Sequence, residues 1–108
     1  MKHLLFVCSR NRRRSPTAEQ IFAHRDDVEV SSAGTSPDAD NPVTADLVDW
    51  ADVIFVMERV HAQRLRRRFA QQLRNARVIS LDIPDNFHFM DDELVRILKA
   101  RMARHLPS

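Results

Sequence analysis

Apolar residues in this chain follow two rhythms. Four short runs, HLLFV at 3–7, VEVSS at 28–32, DVIFVM at 52–57 and RVISLDI at 77–83, are of strand length and carry Val, Ile and Phe, as strands buried in a parallel sheet do. Between them apolar positions fall at helical spacing. Ala18, Ile21 and Phe22 share one face, Leu65, Phe69 and Leu73 recur at i, i+4 and i+8, and Leu94, Ile97, Leu98 and Met102 form a third stripe. Residues 43–51 have room for a short helix capped by Thr44 and carrying Ala45, Leu47 and Val48. Strands alternating with helices predict βαβ units, hence an α/β domain with a parallel sheet and helices on both faces. SPDADNP at 36–42 reads as a turn-rich loop. No repeat, low-complexity tract or linker divides the pattern, and 1–108 is expected to be a single domain.

Composition narrows the function. The net charge is only +2, but arginines gather at 10–14 and 64–68 and acids at 26–29, 38–52 and 82–93. That distribution favours local anion sites over general nucleic-acid binding. The RLRRRF run from Arg64 to Phe69 lacks interleaved aromatics and reads as the wet face of an amphipathic helix. A single cysteine excludes an intrachain disulfide and a multi-cysteine metal site. No segment reads as a secretory signal or membrane span, so a reduced, cytoplasmic setting is expected. One glycine in the chain excludes the glycine-rich nucleotide loops. His3, His24, His61, His88 and His105 show no metal spacing and read as surface or capping residues, with His88 placed to lie near a site.

That one cysteine stands at the end of the first apolar run, in LLFVCSRNRRRSPTAEQIF, with arginines at 10, 12, 13 and 14 behind it. Ligands of open parallel sheets bind beyond the carboxyl ends of the strands, so position alone makes Cys8 a candidate. Ser15-Pro16 predicts a helix start, with Ser15 as the N-cap and Arg14 the last loop residue. Free amides at that helix end and the fork of the Arg14 guanidinium suit a phosphate. The same positive field favours thiolate over thiol at Cys8, and with so many cations it is expected to outweigh burial. A nucleophile beside an oxyanion site suits displacement at phosphorus through a cysteinyl phosphate. Such chemistry also needs a carboxylic acid, and the residues alone leave Asp82, Asp85, Asp91 and Asp92 open. Arg12 and Arg13 are either solvated loop charges or attractors of acidic phosphorylated substrates.

Cysteine, five residues, arginine, serine is the signature of the cysteine-dependent phosphatases, and FVCSRNRRRSPTAE resembles the low-molecular-weight protein tyrosine phosphatases. VSSAGTS at 30–36, WADVIFVME at 50–58 and IPDNF at 83–87 resemble their later segments, so the likeness runs along most of a short, trimmed chain. The resemblance implies a flavodoxin-like strand order, 2-1-3-4, with a phosphate loop after strand 1. It implies Cys8 as nucleophile, Arg14 as phosphate clamp and Asp85 as general acid and base. Ser9, Arg10, Asn11, Arg12, Arg13 and Ser15 would form the loop, Ser15 bonding the sulfur and Asn11 holding the loop's shape with Ser32 in support. Arg10 stands at the family's glycine position, Asn86 and Phe87 stand where proline and tyrosine are usual, and the interval between Thr35 and Phe55 is short. Phe87 is expected either to stack on an aromatic leaving group or to cover the core.

The implied activity is hydrolysis of phosphomonoesters, chiefly phosphotyrosine on proteins, with a phosphorylated protein or small aryl phosphate as partner and no cofactor, metal, membrane or nucleic acid required. The alternative is a catalytically weak or silent oxyanion-binding module for a phosphoprotein, nucleotide or RNA. Arsenate reduction, on the same scaffold, needs further cysteines, and phosphoarginine would be repelled by Arg12.

Overall fold

Each apolar run becomes a strand in the computed structural model of the chain, which describes residues 1–74 and 76–107. Strands β1 (Lys2–Cys8), β2 (Val28–Gly34), β3 (Val53–Val56) and β4 (Arg77–Ser80) pair in parallel in the order β2-β1-β3-β4, as expected. Leu5 of β1 pairs with Ser31 on one side and Ile54 on the other. This central strand is buried from Leu4 to Cys8, because layers cover both of its faces.

Four helices make those layers: α1 (Arg14–Phe22), α2 (Ala45–Trp50), α3 (Arg59–Arg68) and α4 (Asp92–Met102). The strand's period of two sends Leu4, Phe6, Phe55 and Met57 toward α1 and α4, where Phe22, Leu94, Leu98 and Met102 meet them. Phe6 lies between Phe22 and Phe55, with ring centroids 5.8 and 5.6 Å away. Leu5, Val7, Ile54 and Val56 face the other way, onto Val48 of α2 and Ala62 and Leu65 of α3. The short helix α2 forms where Thr44 predicts it, the Thr44 hydroxyl accepting the Leu47 N–H at 3.2 Å.

Three expectations are corrected. The stripe through Leu73 does not make one long helix. Helix α3 ends at Arg68, Phe69 leaves helical geometry, and Leu73 lies in a single 3₁₀ turn, Gln72–Arg74. Phe69 and Leu73 still pack against the core beside Leu65. The chain must turn back there to reach the sheet edge, a demand that i, i+4 spacing cannot register. The fourth run is a strand only to Ser80, because Asp82 takes a positive φ of 55°. Beyond that point Leu81 and Ile83 donate N–H bonds to Val56 and Met57 from an irregular path. Finally, Ser15 is not the N-cap: α1 begins at Arg14, and Arg13 in the cap position makes no side-chain cap bond. The Ser15 hydroxyl is drawn instead to the thiol of Cys8, 2.9 Å away.

Candidate active site

Residues 9–13 join the end of β1 to the start of α1 at the carboxyl end of the sheet. The chain leaves β1 toward β2 on one side and returns to β3 on the other, so this is the switch point of the sheet. The loop is pinned by backbone bonds from Thr35 N–H to Cys8 O, Ser36 N–H to Ser9 O and Asp40 N–H to Arg10 O, at 2.9, 2.9 and 3.1 Å. Gly34, at the end of β2, lies directly beneath. A Cβ there would stand 2.5 Å from both the Ser9 carbonyl oxygen and the Ala39 Cβ. Such a distance is sub-van der Waals, so only glycine lets the two backbones approach.

Asn11 takes the left-handed turn of the loop, with φ at 58°, a conformation asparagine tolerates. Arg10 has no positive φ, so arginine in place of the family's glycine brings no left-handed strain. The Asn11 amide donates to both Ser15 Oγ and Ser32 Oγ at 2.9 Å. Ser32 in turn donates to the Glu19 carboxylate. Because a carboxylate only accepts, this chain has a direction. Ser32 gives its proton to Glu19 and accepts from Asn11; Ser15 also accepts from Asn11, and its own hydrogen is shared between the sulfur of Cys8 at 2.9 Å and the Ala33 carbonyl at 3.4 Å.

Arg14 is 2% exposed and is gripped from one side. Its Nη1 donates to Glu58 Oε1 at 2.5 Å and to the Ile83 carbonyl at 2.7 Å. Its buried Nε has no hydrogen-bond partner and stands 3.6 Å from Asp85 Oδ1. One nitrogen is anchored, then, while another keeps an unused donor in the site. An unpaired buried donor costs about 1–3 kcal/mol, a cost that an acceptor reaching this nitrogen would relieve.

A cleft of about 270 Å³ opens above the thiol, lined by Cys8, Ser9, Arg10, Arg12, Arg13, Arg14 and Asp85. Of the four candidate acids only Asp85 lines it. Asp82 accepts from Ser80, Asp91 caps α4 through the Glu93 N–H, and Asp92 opens that helix. Phe87 is buried among the core residues of the α4 face, which decides between its two expected places in favour of the core. Arg12 reaches sideways to Asp40, Nε to Oδ1 at 3.2 Å. Arg64 and Arg68 each hold Thr35 at 3.3 Å, so the second arginine run is partly a brace for the segment behind the loop.

The histidine at the site is His61, not His88, which is exposed and does not line the cleft. His61 is fully buried. Its Nδ1 accepts the Glu58 N–H at 3.0 Å, so the proton sits on Nε2, 3.0 Å from Ser9 Oγ. Burial, reinforced by the charge of Arg14, pushes this imidazole from its ordinary 6.5 down to about 4. Glu58 and His61 also form a reciprocal capping box at the start of α3, and the E-x-x-H spacing after the third strand is the signal that could have found both. No helix among the described residues is long and apolar enough to cross a membrane.

Residues 3–49, which include the loop, match the model of the family described as low molecular weight phosphotyrosine protein phosphatase. Solved structures extend the likeness in fold to the whole chain. YwlE arginine phosphatase from Geobacillus stearothermophilus superposes with a TM-score of 0.76 at 23% identity, over 97% of this chain and 92% of that one. A low-molecular-weight protein tyrosine phosphatase from Streptococcus pyogenes gives 0.77 at 18% identity, over 100% and 95%. A YwlE mutant with a phosphorylated active-site serine gives 0.74 at 25% identity, over 96% and 95%. No curated protein matches the sequence significantly.

Proposed function

We propose that this protein hydrolyses phosphomonoesters through Cys8, with phosphotyrosine on proteins as its substrate. The observation that carries the reading is the pairing of a thiol bonded to Ser15 with a buried arginine whose Nε is unsatisfied. The match over residues 3–49 supports it, as does a fold neighbour whose active-site serine is found phosphorylated.

The phosphoryl group sits over Cys8, its oxygens facing the free side of Arg14 and the amides of the loop. The Cys8 thiolate attacks phosphorus in line, and the bond to the leaving oxygen breaks as the Asp85 carboxyl gives that oxygen its proton. Asp85, now a carboxylate, takes a proton from water. The resulting hydroxide attacks phosphorus, the P–S bond breaks with release of inorganic phosphate, and the leaving thiolate accepts a hydrogen bond from the Ser15 hydroxyl. Glu58 keeps Arg14 oriented, and His61 holds Ser9 at the rim. Among phosphorylated residues, phosphotyrosine fits better than phosphoarginine. The charge of Arg12 is met by Asp40, but Arg10 and Arg13 remain to repel a guanidinium.

The test is turnover of an aryl phosphate between about pH 5 and pH 8, with phosphotyrosine and phosphoarginine peptides alongside. Cys8→Ser abolishes it, and Asp85→Asn slows it by roughly 10²-fold or more. Wild type no faster than Cys8→Ser, while still binding phosphate, makes the loop a receptor and ends the catalytic reading. Faster turnover of phosphoarginine moves the substrate assignment.

A further inference from the structure

Among the described residues, the cleft is walled by charge and by no aromatic ring. Its lining is one thiol, one hydroxyl, one carboxylate and four arginines. Phe87 lies in the core, and the exposed Phe89 lines a separate depression with Pro16, Glu19 and His24. A phosphorylated side chain entering this cleft finds no surface on which to stack, so recognition beyond the phosphate must come from the arginines.

They are not equivalent. Arg14 is buried and held by Glu58, and Arg12 is tied to Asp40. Arg10 and Arg13 are exposed, and among the described residues neither has a carboxylate within ion-pair distance. Their backbones are nevertheless fixed. The Arg10 carbonyl accepts the Asp40 N–H at 3.1 Å, and the Arg13 carbonyl accepts both the Thr17 N–H and the Thr17 hydroxyl, at 3.1 and 2.6 Å. Two uncompensated guanidinium groups thus stand on rigid bases at either end of the loop that wraps the thiol. Like charges held together without internal partners raise the free energy of the empty site, and anions arriving from outside relieve it.

From this we infer that Arg10 and Arg13 determine specificity, selecting phosphorylated peptide segments flanked by Asp and Glu. The inference rests on the catalytic reading for its substrate, but it concerns binding and is separable from turnover. Residues of an extended peptide are spaced about 3.3–3.6 Å apart. Carboxylates within a few positions of the phosphorylated residue therefore reach the rim while the phosphate occupies the loop. Guanidinium groups pair with such carboxylates through two parallel N–H bonds.

Two phosphotyrosine peptides of equal length, one flanked by Asp and Glu and the other by Asn and Gln, provide the experiment. Their kcat/KM is measured on wild type, and their Kd on Cys8→Ser. Wild type is expected to favour the acidic peptide by roughly tenfold at low salt, with most of the preference lost at about 0.5 M salt. In Arg10→Glu/Arg13→Glu the preference inverts. If that variant fails to fold, Arg13→Gln alone reads as a partial collapse of the same ratio. Equal affinities for the two peptides, or a preference that survives charge reversal and salt, overturns the inference. Absence of all turnover, with the Kd ratio intact, removes the catalytic reading and leaves this one standing.

Discussion

Gly34 and His61 show how much a single position can control when it lies under the loop. Gly34 is the only glycine in the chain, and it sits where the backbone of Ser9 passes closest. Gly34→Ala forces the loop away from the sheet. It is expected to cost about 1–3 kcal/mol in urea melts and to lower aryl phosphate turnover more than any alanine placed on the outer face of α3. His61 controls pH response. Its folded-state value, about 4, lies below the ordinary 6.5. The folded protein therefore keeps the ring neutral while the unfolded chain takes up a proton. The stability from this group is fully present above 6.5 and is lost as pH falls toward 4, by roughly 3 kcal/mol in total. Urea midpoints at about pH 7 and pH 5 should differ more for wild type than for His61→Asn, and equal differences would remove His61 as the cause.

At the scale of elements, the two core faces make different demands. Leu98 of α4 is completely buried against the sheet, far along the chain from every residue of the loop. Leu98→Ala should lower stability by about 2–5 kcal/mol through the cavity it leaves, while folded molecules keep the wild-type kcat. A matching fall in kcat under conditions where the variant is fully folded would mean that α4 positions the site. Helix α2 depends on its cap. Thr44→Ala removes the bond to the Leu47 N–H and should cost about 1 kcal/mol, read from the same melts. The elements themselves were legible in the pattern because strands and helices bury one face at a fixed period. Their ends were less so. The stops at Arg68 and Ser80 are set by where the chain turns and by the positive φ of Asp82, and neither leaves a mark on apolar spacing.

The whole molecule is needed to assemble the site. Cys8 comes from the first strand, Ser32 from the second, Glu58 follows the third and Asp85 the fourth. They are spread over all four strands of one sheet, so loss of activity and loss of far-UV circular dichroism should coincide in a urea titration. Activity lost well before the sheet melts would place the loop in a separately unfolding unit.

Local pattern was enough to place the strands, the helices on both faces and a thiol with its arginines in one loop. These rest on short-range information: periodicity, turn residues, and a thiol, arginines and a serine within one loop. Tertiary structure alone decided what the loop residues touch. It turned Ser15 from the cap that the residues suggested to the sulfur that the resemblance implied, brought Asp85, the acid of that resemblance, and not Asp82, Asp91 or Asp92 to the cleft, and put His61 in place of His88. It also joined Glu58 to Arg14 across 44 positions of the chain. Such contacts are made by strands that become neighbours only when the sheet forms, so no local pattern of residues can encode them where they are read.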